Sequence, residues 1–256
     1  MNLGSASRRS LLERLIARGA PSWVAAHEPP PREIAPGLWS VDRLLGIPLG
    51  PRLGTRSLLV DLPGGGVLAW SPVPLDDALR SFVAARGGAR FLVAPSSFHY
   101  LGLTAWQRAF PDAAIWLAPG LRARKPEVPA GDELLPDAAT PFAKLLPHSV
   151  LDCGRGVTEV AFLHAPSRTL ILVDTAFNLP QAARRRDRFG LWLLGLPSRF
   201  GPTRSSRLIL LRDRAAIRAW IDALCAWDFS RIVMAHGDSL DAGPHELRAA
   251  FAQFLE

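Results

Sequence analysis

The stretch Phe91-Leu92-Val93-Ala94-Pro95-Ser96-Ser97-Phe98-His99-Tyr100 decides the fold. Its first four residues are wholly apolar, as in a short strand covered on both faces within a layered sheet. Pro95 ends that strand, because its ring nitrogen has no hydrogen to give a ladder. The two serines, His99 and Tyr100 then stand at the strand's carboxyl end. Open α/β sheets place their ligands there.

The same unit recurs twice. Residues 169–173 are an apolar run that delivers Asp174, and residues 232–235 deliver His236 in the string His236-Gly237-Asp238. Around these units the chain reads as alternating elements. Strands are predicted over 38–41, 55–61 and 67–70, the last two joined as a hairpin by Gly64-Gly65-Gly66. A helix is predicted over 76–86, with Asp76 and Asp77 in its first turn and Leu75, Leu79, Phe82 and Val83 at helical spacing. Gly87-Gly88 stops it. Further helices are predicted over 104–110, 214–227 and 244–255, and further strands over 114–117 and 157–163. Two successive sets of hairpin, helix and strand predict an α/β fold, a four-layer αββα sandwich with helices outside two sheets.

The 256 residues, 48% of them hydrophobic, suffice for one large core. Residues 1–32 read as an N-terminal amphipathic helix, with Leu11, Leu12, Leu15 and Ile16 on one face, followed by a Pro-rich linker. Residues 33–256 read as the main domain. The start of the chain lacks the apolar run and cleavage site of a signal peptide, and no stretch has the length to span a bilayer. Cys153 and Cys225 form no CxxC pair and are expected to be reduced thiols of a cytoplasmic protein. Cys153 lies near Arg155, which would favour a thiolate, but a buried inert cysteine is the stronger reading.

Basic residues exceed acidic ones 30 to 23, a formal charge of +7, and only Lys125 and Lys144 are lysines. The arginines are scattered apart from Arg184-Arg185-Arg186, so nucleic acid is not an expected partner. Residues 189–196 are apolar around Trp192 and follow those arginines. They read as a lid or core helix, with peripheral membrane contact through 184–196 as the alternative.

His99, Asp174 and His236 each follow a separate apolar strand, and strand ends on one edge of a layered sheet converge. Two imidazoles and a carboxylate suit Zn²⁺, Fe²⁺ or Mn²⁺. Taken singly, each has an ordinary explanation, as a loop cap or as an acceptor of backbone amides. His164 reads as structural, and His148 follows Pro147 on a loop where no partner for it is expected. There is neither a GxSxG elbow nor a P-loop to support a serine hydrolase or a nucleotide hydrolase.

The order of these elements, with the strings VAPSSFHYLGLTAWQRAFPDAAIWLAPGL (93–121), HAPSRTLILVDTAFN (164–178) and VMAHGD (233–238), resembles the metallo-β-lactamase superfamily over about residues 33–256. More narrowly it resembles an uncharacterised branch of that superfamily, a domain of unknown function. The resemblance implies a two-metal loop HxHxDH, a Gly-His-Thr turn, an aspartate after a strand, and a last histidine. Here the loop is Ser97-Phe98-His99-Tyr100-Leu101-Gly102, which keeps only His99 at the second histidine position. With His99 set at the first position instead, Leu101, Leu103 and Thr104 occupy the others. The turn falls on Gly154-Arg155-Gly156, while Asp174 and His236 match the shared aspartate and the last histidine. Those survivors come from two different metal sites, so a dinuclear centre is not expected.

Two functions follow as expectations. In the first, the site is degenerate, lacks dinuclear metallohydrolase activity, and binds a small anionic ligand or a partner. In the second, His99, Asp174 and His236 hold one weakly bound divalent metal (Zn, Fe or Mn) for hydrolysis of an ester-like substrate. Ser97, Arg155, Glu159 and Asp238 are the candidate ligand-binding residues. Arg155 either pairs with Asp174 in place of an ion or faces solvent. Glu159, a charge in an apolar strand, is expected to line the pocket and pair with Arg168 or Arg155. Asp238 is expected to steady His236.

Overall fold

In a computed structural model of the chain, residues 22–23, 29–46, 52–154, 156–179, 199–209 and 213–255 are described. The helix expected over the first twenty residues, residue Arg155 and the apolar segment 184–196 lie outside them.

The first sheet has eight strands: β1 (Ser22–Trp23), β2 (Arg32–Ala35), β3 (Leu38–Gly46), β4 (Arg52–Asp61), β5 (Val67–Trp70), β6 (Ala89–Ala94), β7 (Ala114–Leu117) and β8 (Asp132–Glu133). Their order is β1-β3-β4-β5-β6-β7-β8, with β2 also paired to β3. β3, β4 and β5 run antiparallel, then β5, β6 and β7 run parallel. The second sheet has five strands: β9 (His148–Asp152), β10 (Thr158–His164), β11 (Thr169–Leu172), β12 (Arg231–Met234) and β13 (Leu240–Asp241), in the order β13-β12-β11-β10-β9. β11 and β12 are parallel, so their carboxyl ends open on the same edge.

Helices α1 (Asp77–Ala84), α2 (Leu103–Ala109), α3 (Leu121–Arg124), α4 (Arg204–Ile209), α5 (Arg214–Cys225) and α6 (Pro244–Leu255), with a 3-10 turn at Ala165–Ser167, complete the described elements. Asp76 caps α1 by accepting from the Leu79 amide, and the same carboxylate pairs with Arg43 at 2.6 Å.

Period-two alternation sorts the strand residues into layers. In β10, Val160 and Phe162 join Leu58, Val60, Trp70 and Val93 of the first sheet in a cluster between the sheets. Ala161 and Leu163 turn the other way, toward Ile217, Trp220, Ile221 and Leu224 of α5 and Leu247 and Phe251 of α6. A third cluster packs Leu59, Ala69, Leu92 and Ile115 against Leu79 and Val83 of α1 and Leu103 and Trp106 of α2. Three apolar interfaces make four layers, the αββα sandwich expected from the sequence.

Two features differ from that expectation. His148, expected on a loop without a partner, lies in β9, and its Nε2–H donates to the Leu135 carbonyl at 2.9 Å. Residues before 33 also touch the sandwich: β1 pairs with β3, and Arg43 Nη1 donates to the Pro29 carbonyl at 3.0 Å.

His164 closes β10 as a buried ring whose Nδ1 lies 2.6 Å from Ser167 Oγ, away from the ligand edge. Burial lowers its pKa from 6.5 to about 4. Below pH 6.5 the unfolded chain therefore takes up a proton that the native ring refuses until about pH 4. Stability present above pH 6.5 is lost as pH falls through that window, by at most about 1.4 kcal/mol per pH unit. Urea midpoints measured between pH 7 and 4.5 should fall less steeply in His164→Gln than in the wild type, and equal slopes would refute this assignment.

Candidate metal centre

Three strand ends build the site. β6 leads through Pro95 to His99, β11 ends two residues before Asp174, and β12 ends two residues before His236. Their polar atoms meet. His99 Nε2 lies 3.2 Å from His236 Nε2 and 3.3 Å from Asp174 Oδ1, and His236 Nε2 lies 3.4 Å from the same oxygen. Among the described residues this is the group of His, Cys, Asp and Glu side chains spaced to hold an ion. A tetrahedral ion with ligands at about 2.0–2.1 Å sets those ligands about 3.3–3.4 Å apart, whereas neighbouring ligands of an octahedral ion at about 2.1 Å lie about 3.0 Å apart. The observed triangle is closer to one face of a tetrahedron. Three protein donors of this chemistry is also the number used by catalytic zinc sites. The residues fit one divalent ion.

The outer contacts prepare the lone pairs. The Gly54 carbonyl can only accept, so His236 Nδ1, 2.8 Å away, carries its proton and leaves Nε2 free to ligate. His99 Nδ1 lies 2.8 Å from Ser71 Oγ, a hydroxyl that can accept or donate. With the Ser71 hydroxyl donating, His99 carries its proton on Nε2 and shares it with Asp174 or His236. With the hydroxyl accepting, Nε2 is free for a cation. Proton and metal thus compete for one position. Ser71 is held at φ 52°, a left-handed conformation uncommon outside glycine, which places this local strain beside the site.

Asp174 is the electrostatic centre. Burial pushes its carboxyl up, but the two imidazoles, through charge and hydrogen bonding, outweigh that and hold it well below the usual carboxylate range. Its second oxygen, Oδ2, accepts from Ser96 Oγ at 3.3 Å. Phe177 stacks on the His236 ring, with centroids 5.1 Å apart and planes 9° apart.

The positions missing from the resembled pattern have physical causes. A Cβ at Gly102 would lie 2.1 Å from the Pro72 carbonyl oxygen, so α2 starts too close to residues 72–73 for a histidine there. The Ser97 hydroxyl accepts from the Thr158 amide at 3.2 Å, and Ser96 is the serine that reaches Asp174. Leu101 is 41% exposed.

Other expected contacts are redrawn. Glu159 does not pair with Arg168, which binds Asp228 instead. The fully buried Glu159 carboxylate accepts from the Val173 and Asp174 amides and from Thr175 Oγ1. Burial, then the nearby Asp174 charge, raise its pKa to about 7 against the pull of those bonds. Asp238 does not steady His236 either. Its backbone pairs with Asn178, and the Gly54 carbonyl holds the ring. Cys153 is buried, and burial pushes its thiol pKa far up, so it is no activated nucleophile. Ser71 and Gly54 were not found by sequence reasoning, and Ser96 was noted only as one of the polar residues after an apolar strand. Ser71, directly after the apolar strand β5, carried the same signal.

Solved structures share this architecture. A metallo-β-lactamase from Pontibacter korlensis aligns with a TM-score of 0.62 at 14% identity, over 88% of this chain and 97% of that one. One from Erythrobacter litoralis, with β-mercaptoethanol in its active site, aligns at 0.59 and 17% identity, over 91% and 97%. FIM-1 from Pseudomonas aeruginosa, in a mono-zinc form, aligns at 0.58 and 15% identity, over 89% and 96%. The chain has the metallo-β-lactamase fold. No curated protein matches it. Residues 36–185, more than half of the chain, match the family described as Domain of unknown function (DUF4336), and the chain belongs to that family.

Proposed function

We propose that this protein holds a single divalent ion, zinc by preference, on His99, Asp174 and His236, and uses it to hydrolyse an ester-like bond. The observation that carries the reading is the triangle of 3.2, 3.3 and 3.4 Å between three ligating atoms. The Gly54 carbonyl supports it by leaving the His236 lone pair directed inward. An ion in that position would supply Lewis acidity toward a carbonyl or phosphoryl oxygen and acidify water. The chain's own groups do the rest: Asp174 contributes the negative charge, the Ser71 hydroxyl accepts a hydrogen bond from His99 Nδ1–H, and Ser96 holds the carboxylate's other oxygen. The closed backbone at Gly102 argues for one ion rather than two.

The alternative is a metal-free pocket for a small anionic ligand, favoured by the option of a shared proton on His99 Nε2. Zinc titration of chelator-treated protein by calorimetry separates the two. One equivalent per chain is expected, and turnover of a chromogenic ester should rise with loading and vanish with chelator. No binding would replace this reading by the metal-free pocket, and two equivalents would overturn the single-ion centre.

A further inference from the structure

We infer that Glu159 is a positioning residue that sets the aim of Asp174 and the register of the His99 loop; this rests on the single-ion reading above. Glu159 is fully buried as the second residue of β10. Its Oε1 accepts from the Val173 amide at 3.0 Å and from Thr175 Oγ1 at 2.6 Å, and its Oε2 accepts from the Asp174 amide at 2.9 Å. These donors belong to three consecutive residues centred on Asp174. β11 has ended at Leu172, so these amides are no longer paired within a named strand. The carboxylate grips the turn through its backbone and fixes the direction in which the Asp174 side chain leaves it.

The same short segment also holds the other arm of the site. Glu159 forms an isolated bridge with Ser96, the Val160 amide donates to the Pro95 carbonyl at 2.8 Å, and the Ser97 amide donates to the Thr158 carbonyl at 3.2 Å. Thus residues 158–160 set the spacing between the loop that carries His99 and the turn that carries Asp174.

The chemistry requires a carboxylate. Three donors converge on it, and an ionised carboxylate offers several lone pairs and no hydrogen. Glutamine keeps the shape but turns an amide NH₂ toward a donor. A hydrophobic residue at this buried position would leave those donors without an acceptor. The next two residues of β10, Val160 and Ala161, are buried and apolar.

Glu159→Gln tests the assignment through zinc affinity, measured by competition with a chelating dye, and through the unfolding midpoint with and without zinc. Zinc affinity should fall about 10- to 100-fold, the range for lost outer contacts of a metal site. The zinc-induced rise in midpoint should shrink accordingly, because that rise scales with the logarithm of affinity. Cobalt-loaded protein should lose intensity in its visible four-coordinate bands. A lower midpoint with wild-type zinc affinity and an unchanged zinc-induced rise would make Glu159 a structural residue only and overturn the inference. Wild-type protein that binds no zinc would overturn the metal reading itself, a result distinct from any behaviour of the variant. Should Glu159→Gln fail to fold, Thr175→Val, which removes one of the three donors, decides instead: a smaller affinity loss supports the inference, and none overturns it.

Discussion

Asp174→Ala is expected to abolish useful zinc binding while leaving the fold in place. Oδ1 of this residue is the one atom close to both imidazoles, at 3.3 and 3.4 Å. Its removal takes away one of three protein donors and the only negative charge in the set. Structural zinc sites bind with about 10–16 kcal/mol, so losing a third of the donors costs on the order of 4 kcal/mol, roughly a thousandfold in affinity. The aspartate side chain otherwise contacts only Ser96 among the described residues, so the unfolding midpoint in chelator should change little. Asp174→Asn keeps the shape without the charge and should fall between wild type and alanine. Calorimetric titration reads all three proteins. Wild-type affinity in the alanine variant would remove Asp174 from the centre and the centre from consideration.

Gly237→Ala should produce the largest loss of stability from adding a single methyl group. Gly237 sits at φ 95°, where an L side chain is strained, and an added Cβ would lie 1.9 Å from the Asn178 carbonyl oxygen and 2.5 Å from its carbon. Both are backbone atoms of a segment bridged to this one, and the Asp238 amide donates to the same oxygen at 2.8 Å. Neither side can yield by a rotamer change. Arg56 adds to the constraint, its Nη1 donating to the carbonyls of Met234 and Gly237 at 3.1 and 2.8 Å. Strain plus steric displacement should cost about 3 kcal/mol or more, and a chain of this size then loses roughly 6–12 °C in Tm. The turn moves with His236 on it, so zinc affinity should fall as well. A Tm within a degree of wild type would show that the turn accommodates the methyl group and that the close approach has no energetic role.

Much of the fold was legible because its key strands are buried on both faces. β6, β11 and β12 each close on a short apolar stretch with no alternation to misread, and polar residues follow within two positions. Hence His99, Asp174 and His236 could be named and expected to converge. Their separation into two metal sites, implied by resemblance, concealed that Asp174 Oδ1 stands between both rings. β9 was missed because His148-Ser149-Val150-Leu151-Asp152 is half-exposed and carries no clear pattern. The supports of the site were less accessible still. Gly54 acts through a carbonyl, which every residue has, and Ser71 through a strained backbone that no residue type announces. Glu159 stood out as a charge in an apolar strand, yet its partners lie in the turn after β11, and Arg168, which matched it by charge, binds Asp228 instead.

The lock on His236 joins chain segments that are far apart in synthesis. The Gly54 carbonyl and the Arg56 guanidinium belong to β4, while the groups they hold lie 178 to 182 residues later. Contacts over such intervals close slowly, because the intervening chain must first be brought to order. On a ribosome, the early sheet would hold Arg56 through Ser40 and Asp42 while its Nη1 and the Gly54 carbonyl waited for β12 and the turn after it to emerge. On the single-ion reading, the centre would therefore be complete only once the turn carrying His236 has joined β4, and an ion encountered earlier would find only part of its cage.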